Sequence, residues 1–127
     1  MAGTRRRAIV RARGDSAERL AERHLVSNGL TLLSRNYRCR FGEVDLVMAD
    51  RQTIAFVEVR LRAKGRFGGA LQSVDERKQG RLIQAASAYL GEHPEHEDAP
   101  VRFDVVALDG QPGGKIGIKW LRDAFRP

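Results

Sequence analysis

The sequence predicts an α/β fold, a mixed sheet flanked by helices, and three observations carry that expectation. An amphipathic stretch with helical spacing precedes three short strand-like runs. A second helical stretch then follows, and behind it lies an apolar run suited to an interior strand. The third strand and the fourth are separated by a helix-length crossover, which allows a parallel, right-handed connection.

The first periodic segment runs from Asp15 to Asn28, with Ala17, Leu20, Ala21, His24 and Leu25 on one face and Gly29 placed to end it. Asp15 with Glu18 three residues on has the form of a loose capping box, which gives Glu18 a purely structural reading. Three strands are predicted over Leu30–Tyr37, Gly42–Ala49 and Ile54–Leu61, the last two joined as a hairpin through Asp50, Arg51, Gln52 and Thr53. A loop holding Gly65, Gly68 and Gly69 leads to Ser73, which with Glu76 reads as the S-x-x-E start of a second helix ending near Leu90. Leu82, Ile83, Ala86, Tyr89 and Leu90 form its apolar face, and Gly91 and Pro94 stop it. A polar loop, Glu92–Pro100, precedes the strand Val101–Leu108. A turn over Asp109–Gly114 and a short strand, Ile116–Leu121, close the order.

At 127 residues the chain has room for one core. Its 42% hydrophobic content argues against wholesale disorder. No apolar run approaches the ~20 residues of a membrane helix, and no apolar stretch follows the basic start, so a cytoplasmic protein without a membrane partner is expected. The single cysteine, Cys39, excludes an internal disulfide framework and a cysteine-rich zinc site.

Charge points to a polyanion: 23 Lys plus Arg against 16 Asp plus Glu leave a formal +7. Arg5, Arg6 and Arg7, followed by Arg11 and Arg13, load the first thirteen residues before any acid appears. Residues 1–13 read as a flexible basic arm, either solvated or tracking phosphates, ahead of a single domain over 14–127.

The acids of the hairpin are the sharpest chemical signal. If its turn centres on Arg51 and Gln52, cross-strand partners sum to 103, so Asp45 stands opposite Glu58 and Glu43 opposite Arg60, all four on one face. Two facing carboxylates about 5 Å apart destabilise a sheet unless a proton or cation separates them. A divalent ion such as Mg²⁺, which takes one or two carboxylates and fills its shell with water and phosphate oxygens, resolves that conflict, and Glu43 with Arg60 would be a neighbouring ion pair. The plain alternative is a solvated surface pair, which the flanking Val44, Leu46, Val57 and Val59 disfavour.

GEVDLV at Gly42–Val47, FVEVRLR at Phe56–Arg62 and RFDVVAL at Arg102–Leu108 resemble the YraN-like family of bacterial proteins. Gly14, Glu18, Ala21, the FGGALQSV block, Lys78 and the DAF at Asp123–Phe125 extend the resemblance over nearly the whole domain. That family is in turn similar to the restriction-endonuclease-like, or PD-(D/E)XK, nucleases and to Holliday junction resolvases, whose core order is helix, three strands, helix, strand. The resemblance implies Asp45 as the motif aspartate, Glu58 as the first acid of the E-x-K element and Glu18 as a helix acid completing a Mg²⁺ or Mn²⁺ site. Arg60 occupies the lysine position, a departure from the nuclease pattern that the YraN-like family shares. Arginine cannot give up its proton to activate water, only orient and stabilise, so catalysis is the point this departure affects.

The implied activity is metal-dependent hydrolysis of DNA phosphodiester bonds, structured or branched DNA included, with Arg60 on the scissile phosphate. Arg5, Arg6, Arg7, Lys78 and Arg81 would hold the nucleic acid. The alternative is a nucleic-acid-binding protein with a nuclease-like fold and little or no catalysis. A homodimer stays open. His93, Glu95, His96, Glu97 and Asp98 read as a solvated loop, Gly113–Lys115 as a turn, Cys39 as an inert thiol, and Trp120 and Phe125 as core packing. Asp104, set among valines, is either a buried hydrogen-bonded acid or a support to the site.

Overall fold

A computed structural model describes residues 16–62, 74–110 and 114–127. The basic arm with Arg5, Arg6 and Arg7, the Gly65–Gly69 loop and Ser73 lie outside the described residues. Helix α1 covers residues 16–27. Strands β1 (Thr31–Cys39), β2 (Gly42–Asp50) and β3 (Thr53–Arg62) follow, then helix α2 (Glu76–Glu92), a 3₁₀ turn (Pro94–His96), β4 (Val101–Gly110) and β5 (Ile116–Phe125). The described strands make one five-stranded sheet in the order β1-β2-β3-β4-β5. Only the β3–β4 pair is parallel, so the sheet is mixed and α2 is the crossover, as expected.

The helix ends have identifiable causes. Gly29 has φ 95°, its N–H donates to Val26 O at 3.0 Å, and Leu30 N–H donates to Leu25 O at 3.1 Å. This is a Schellman closure, sealed by contact between the buried Leu25 and Leu30. The N-cap of α2 is Asp75, two residues after the expected Ser73, and the Asp75 carboxylate accepts from Lys78 N–H at 2.9 Å. The helix also runs past Leu90, absorbing Gly91, until His93 and Pro94 end it.

Two apolar layers sit on opposite sides of the sheet. Ala17, Ala21 and Leu25 of α1 pack on Leu46, Met48, Ala55, Val57, Val106 and Leu108. Leu82, Ala85, Ala86 and Tyr89 of α2 pack on Val47, Ile54, Phe56, Phe103 and Val105. β3 alternates cleanly, with Ile54 and Phe56 toward α2 and Ala55 and Val57 toward α1.

β1 and β2 do not. Leu46 and Met48 lie on the α1 side, yet Val44, two residues from Leu46, joins the α2 side. On β1 Arg35 reaches Glu22 of α1, whereas Tyr37 packs with the α2 layer. Both strands change side between the Arg35↔Leu46 and Tyr37↔Val44 pairs, the stretch that holds Asn36 on β1 and Asp45 on β2. Asn36 has φ 51°, a left-handed conformation that asparagine tolerates better than most residues, and this inverts the pleat.

β5 is longer than expected because it continues past a register shift between Phe103 and Val105. There the fully buried Asp104 takes both edges of the irregularity. It accepts from Trp120 Nε1 at 3.0 Å, from Asp123 N–H at 2.9 Å, and from Arg102 Nε at 3.0 and 3.1 Å. Asp104 is thus a buried hydrogen-bonded acid. Asp109, near the end of the same strand, is also fully buried, and neither of its oxygens has a hydrogen-bond partner among the described residues.

Candidate metal and phosphate site

The β2–β3 ladder has the register read from the sequence: Leu46↔Val57, Val47↔Phe56, Met48↔Ala55, Ala49↔Ile54 and Asp50↔Thr53 all sum to 103. Its last backbone rung is Leu46↔Val57. One residue further, where Asp45 and Glu58 would face each other, the pleat inversion has turned β2. The Asp45 carboxylate takes over the pairing, accepting from Val59 N–H at 2.8 Å. A side chain replaces a main-chain acceptor at the fork between the two strands.

Glu58 is 5% exposed, on the α2 side of β3. Its Oε1 meets Lys78 Nζ at 2.9 Å and Arg60 Nε at 3.4 Å. The Asp75 cap explains the lysine: it sets the first turn of α2, and Lys78 is the third residue after the cap, aimed at the sheet.

Asp45 is half-buried and its pKa is pushed up to about 8. Burial is the largest cause and the Glu58 charge the next. The Val59 hydrogen bond opposes them, while Glu18 and Glu43 add further repulsion.

Glu43 departs from its expected place. It pairs with Arg38, its β1 register partner, at 3.6 Å, and not with Arg60. With the Asn36 amide turned so that its nitrogen faces the acids, that nitrogen donates to Glu43 Oε1 at 3.1 Å and to Glu18 Oε2 at 2.9 Å. Glu43 thus reaches the helix α1 acid instead of sharing one face with Glu58 and Arg60, because the stretch at Asn36 and Asp45 reverses the side on which β2 residues emerge.

Asn36 is the residue that reading the sequence missed. Its signal was an asparagine set within an otherwise strand-like run, where left-handed backbone is tolerated. It also lines a cleft of about 200 Å³ with Glu18, Arg19, Glu22, Arg35 and Leu46. Arg35 closes one wall by a forked pair to Glu22 at 2.6 and 2.9 Å, and that hydrogen bond holds the Glu22 carboxyl below its usual range.

Among the described residues no three His, Cys, Asp or Glu side chains are gathered tightly enough to hold a metal as a set. The donors still fit one kind of ion. Asp45 and Glu58 supply hard carboxylate oxygens at a desolvated fork, which suits a cation that takes one or two protein ligands and keeps the rest of its shell for water and phosphate. Arg81 lies further along α2 against the β1–β2 turn: a Cβ added at Gly42 would stand 3.6 Å from the Arg81 Cβ. The His93 ring stacks on Tyr89 at 3.9 Å and its Nδ1 lies 2.8 Å from Tyr89 O, so that histidine closes the helix end.

No described helix is long and apolar enough to cross a membrane. Residues 17–108 match the model of the uncharacterised protein family UPF0102. A UPF0102 protein of Nitrosococcus oceani is 50% identical over 119 residues, covering 94% of this chain and 95% of the relative. One of Pseudomonas entomophila is 53% identical over 112 residues, covering 88% and 91%. One of Methylobacillus flagellatus is 49% identical over 112 residues, covering 88% and 95%. The match takes in α1, Asn36, Asp45, Glu58 and Lys78 alike, and this chain belongs to the UPF0102, or YraN-like, family.

Proposed function

We propose that this protein is a metal-dependent nuclease that hydrolyses phosphodiester bonds of DNA at the fork between β2 and β3. The observation that carries the reading is the state of Asp45. A carboxylate at a strand fork, turned toward the sheet and charged against Glu58, is unfavourable for folding alone and favourable for receiving a cation.

Asp45 and Glu58 would hold a divalent ion, whose chemistry there would be Lewis-acid activation of water and neutralisation of charge developing on the phosphate. The chain's own groups do the rest. Asp45 would hold the ion as the carboxylate, with its Oδ2 kept in place by the hydrogen bond it accepts from Val59 N–H. Lys78 brings to Glu58 an ammonium that the E-x-R sequence of β3 lacks, entering from α2 instead of from the strand. Arg60, always charged, orients and stabilises the phosphate. Glu18, held by Asn36, is the third acid in reach of the Asp45 field. Arg81 and the arm arginines Arg5, Arg6 and Arg7 would follow the phosphates away from the site.

A second reading has its own support. Glu58 Oε1 is already met by two cations, and a protein that binds nucleic acid without cutting it has no need to release them. Cleavage of labelled single-stranded, duplex and four-way-junction DNA, with Mg²⁺, Mn²⁺ or EDTA, separates the two. The nuclease reading requires ion-dependent cutting that Asp45→Asn and Glu58→Gln abolish, and a rate loss of at least tenfold in Arg60→Ala. Tight binding with no cutting at any ion leaves the binding protein. Cutting that survives Asp45→Asn removes this site from the chemistry.

A further inference from the structure

The β1–β2 hairpin turns on two residues, Arg40 and Phe41, between the paired Cys39 and Gly42. Turns of this length favour glycine, asparagine and aspartate, and an arginine followed by a phenylalanine contributes nothing to the bend. Nor does Phe41 serve the core. It is partly exposed and, among the described residues, belongs to neither apolar layer, and the Arg40 guanidinium carbon stands 4.7 Å from its ring centroid. Arg38, Arg40 and Arg81 are all exposed around the turn, which rides on α2 at Gly42. A residue pair that breaks local preference with no packing gain among the described residues marks a candidate functional position.

The geometry points to the Arg40–Phe41 turn as a stacking site for an unpaired nucleobase, with Arg81 taking the adjoining phosphate. An aromatic ring backed by a guanidinium offers its open face to another flat π-system, and the surrounding arginines select one carrying anionic linkages. A lipid surface is the poorer match, since a single ring among three arginines offers little to insert. Four residue steps along β2 separate Phe41 from Asp45, about 13 Å at the usual strand rise. A strand whose phosphodiester lies at Asp45 reaches the turn within about four stacked nucleotides.

The inference rests on the nuclease reading for the location of the attacked bond, and it narrows the substrate. Inside a regular duplex both faces of a base are covered, so the preferred nucleic acid carries an unpaired segment, such as a single strand, a flap or a branch, within a few nucleotides of the site.

Binding in EDTA tests the turn without calling on catalysis. The probes are a 2-aminopurine-containing single strand and a blunt duplex of the same sequence, with the wild type, Phe41→Ala, Phe41→Trp and Arg40→Ala/Arg81→Ala. Phe41→Ala should weaken single-strand binding about tenfold and lose the quenching of 2-aminopurine, with duplex affinity and salt slope unchanged. Phe41→Trp should restore both, and the double arginine variant should flatten the salt slope on both probes. Phe41 lies outside both cores, and matched melting temperatures confirm equal folding.

Equal single-strand binding by wild type and Phe41→Ala overturns the inference, as does equal loss on both probes. Phe41-dependent binding to anionic phosphatidylserine vesicles in place of the single strand overturns it in favour of a membrane. Phe41-dependent single-strand binding without any Mg²⁺-dependent cleavage upholds the turn and refutes only the nuclease reading. Cleavage indifferent to Phe41 on every substrate does the reverse.

Discussion

Asparagine at position 45 tests the strain in the site directly. The Asp45→Asn amide keeps the size of the side chain and its acceptor for Val59 N–H but cannot ionise. In the folded protein the carboxyl pKa is pushed up to about 8 from an ordinary 3.8, so between those values the unfolded chain is ionised while the folded one holds the proton. Folding therefore binds a proton. The contribution is fully present below the unfolded value and is lost as pH rises through the folded one. The gap between the two values, at 1.36 kcal/mol for each pH unit, sets a ceiling of about 6 kcal/mol. Residual solvent access and rearrangement of Lys78 reduce that to about half, and the expected effect is about 2–3 kcal/mol, or about 10 °C in melting temperature for a domain of this size. Urea melts in EDTA at pH 5, 7 and 9 should show the wild type falling progressively below Asp45→Asn. Magnesium at pH 9 should recover stability in the wild type alone. Parallel stability curves for the two proteins across that range would refute the raised ionisation and with it the argument for a cation.

Three further outcomes follow from other carboxylates. Asp104→Ala leaves Arg102 Nε, Trp120 Nε1 and the Asp123 amide without their acceptor, while Arg102 Nη1 keeps Asp50, and should cost about 3–5 kcal/mol in denaturant melts, as breaking a buried pair does; a loss under 1 kcal/mol contradicts the role given to it. Asp109→Asn, replacing a fully buried carboxyl that has no partner among the described residues, should raise stability by at least about 1 kcal/mol. A fall in stability would mean that the acid has a partner under the conditions of the melt. Asp75→Ala should cost about 1 kcal/mol and loosen the turn carrying Lys78, so its test pairs a melt with the Mg²⁺ titration of the site.

The sequence legibly specified what depends on period and turn chemistry. Gly29 marked the end of α1 because only a left-handed residue closes that helix so tightly. The two-residue turn at Arg51 and Gln52, with Arg51 at φ 55°, set the β2–β3 register at 103. The parallel β3–β4 pairing followed from the length of the crossover. What escaped was the stretch at Asn36 and Asp45. A strict period of two places Glu43, Asp45, Glu58 and Arg60 on one face, and a single left-handed residue on the neighbouring strand undoes it for Glu43. The cap of α2 was missed for a different reason: Ser73 and Asp75 both offer a side-chain oxygen near the helix start, and only the tertiary position of the first turn selects between them. The full length of β5 depends on Asp104, a residue on another strand, and no local pattern encodes it.

One main-chain amide reports on all of this chemistry. Val59 N–H is held by an aspartate oxygen instead of a peptide carbonyl, so its protection from hydrogen exchange is set by the charge and orientation of a titrating group. Neighbouring amides in β3 exchange only as the sheet opens. This one also senses each proton that leaves Asp45 and each cation that draws the carboxylate away. A single backbone ¹⁵N resonance in the middle of the sheet is therefore a built-in gauge of the fork, readable without substrate, label or turnover.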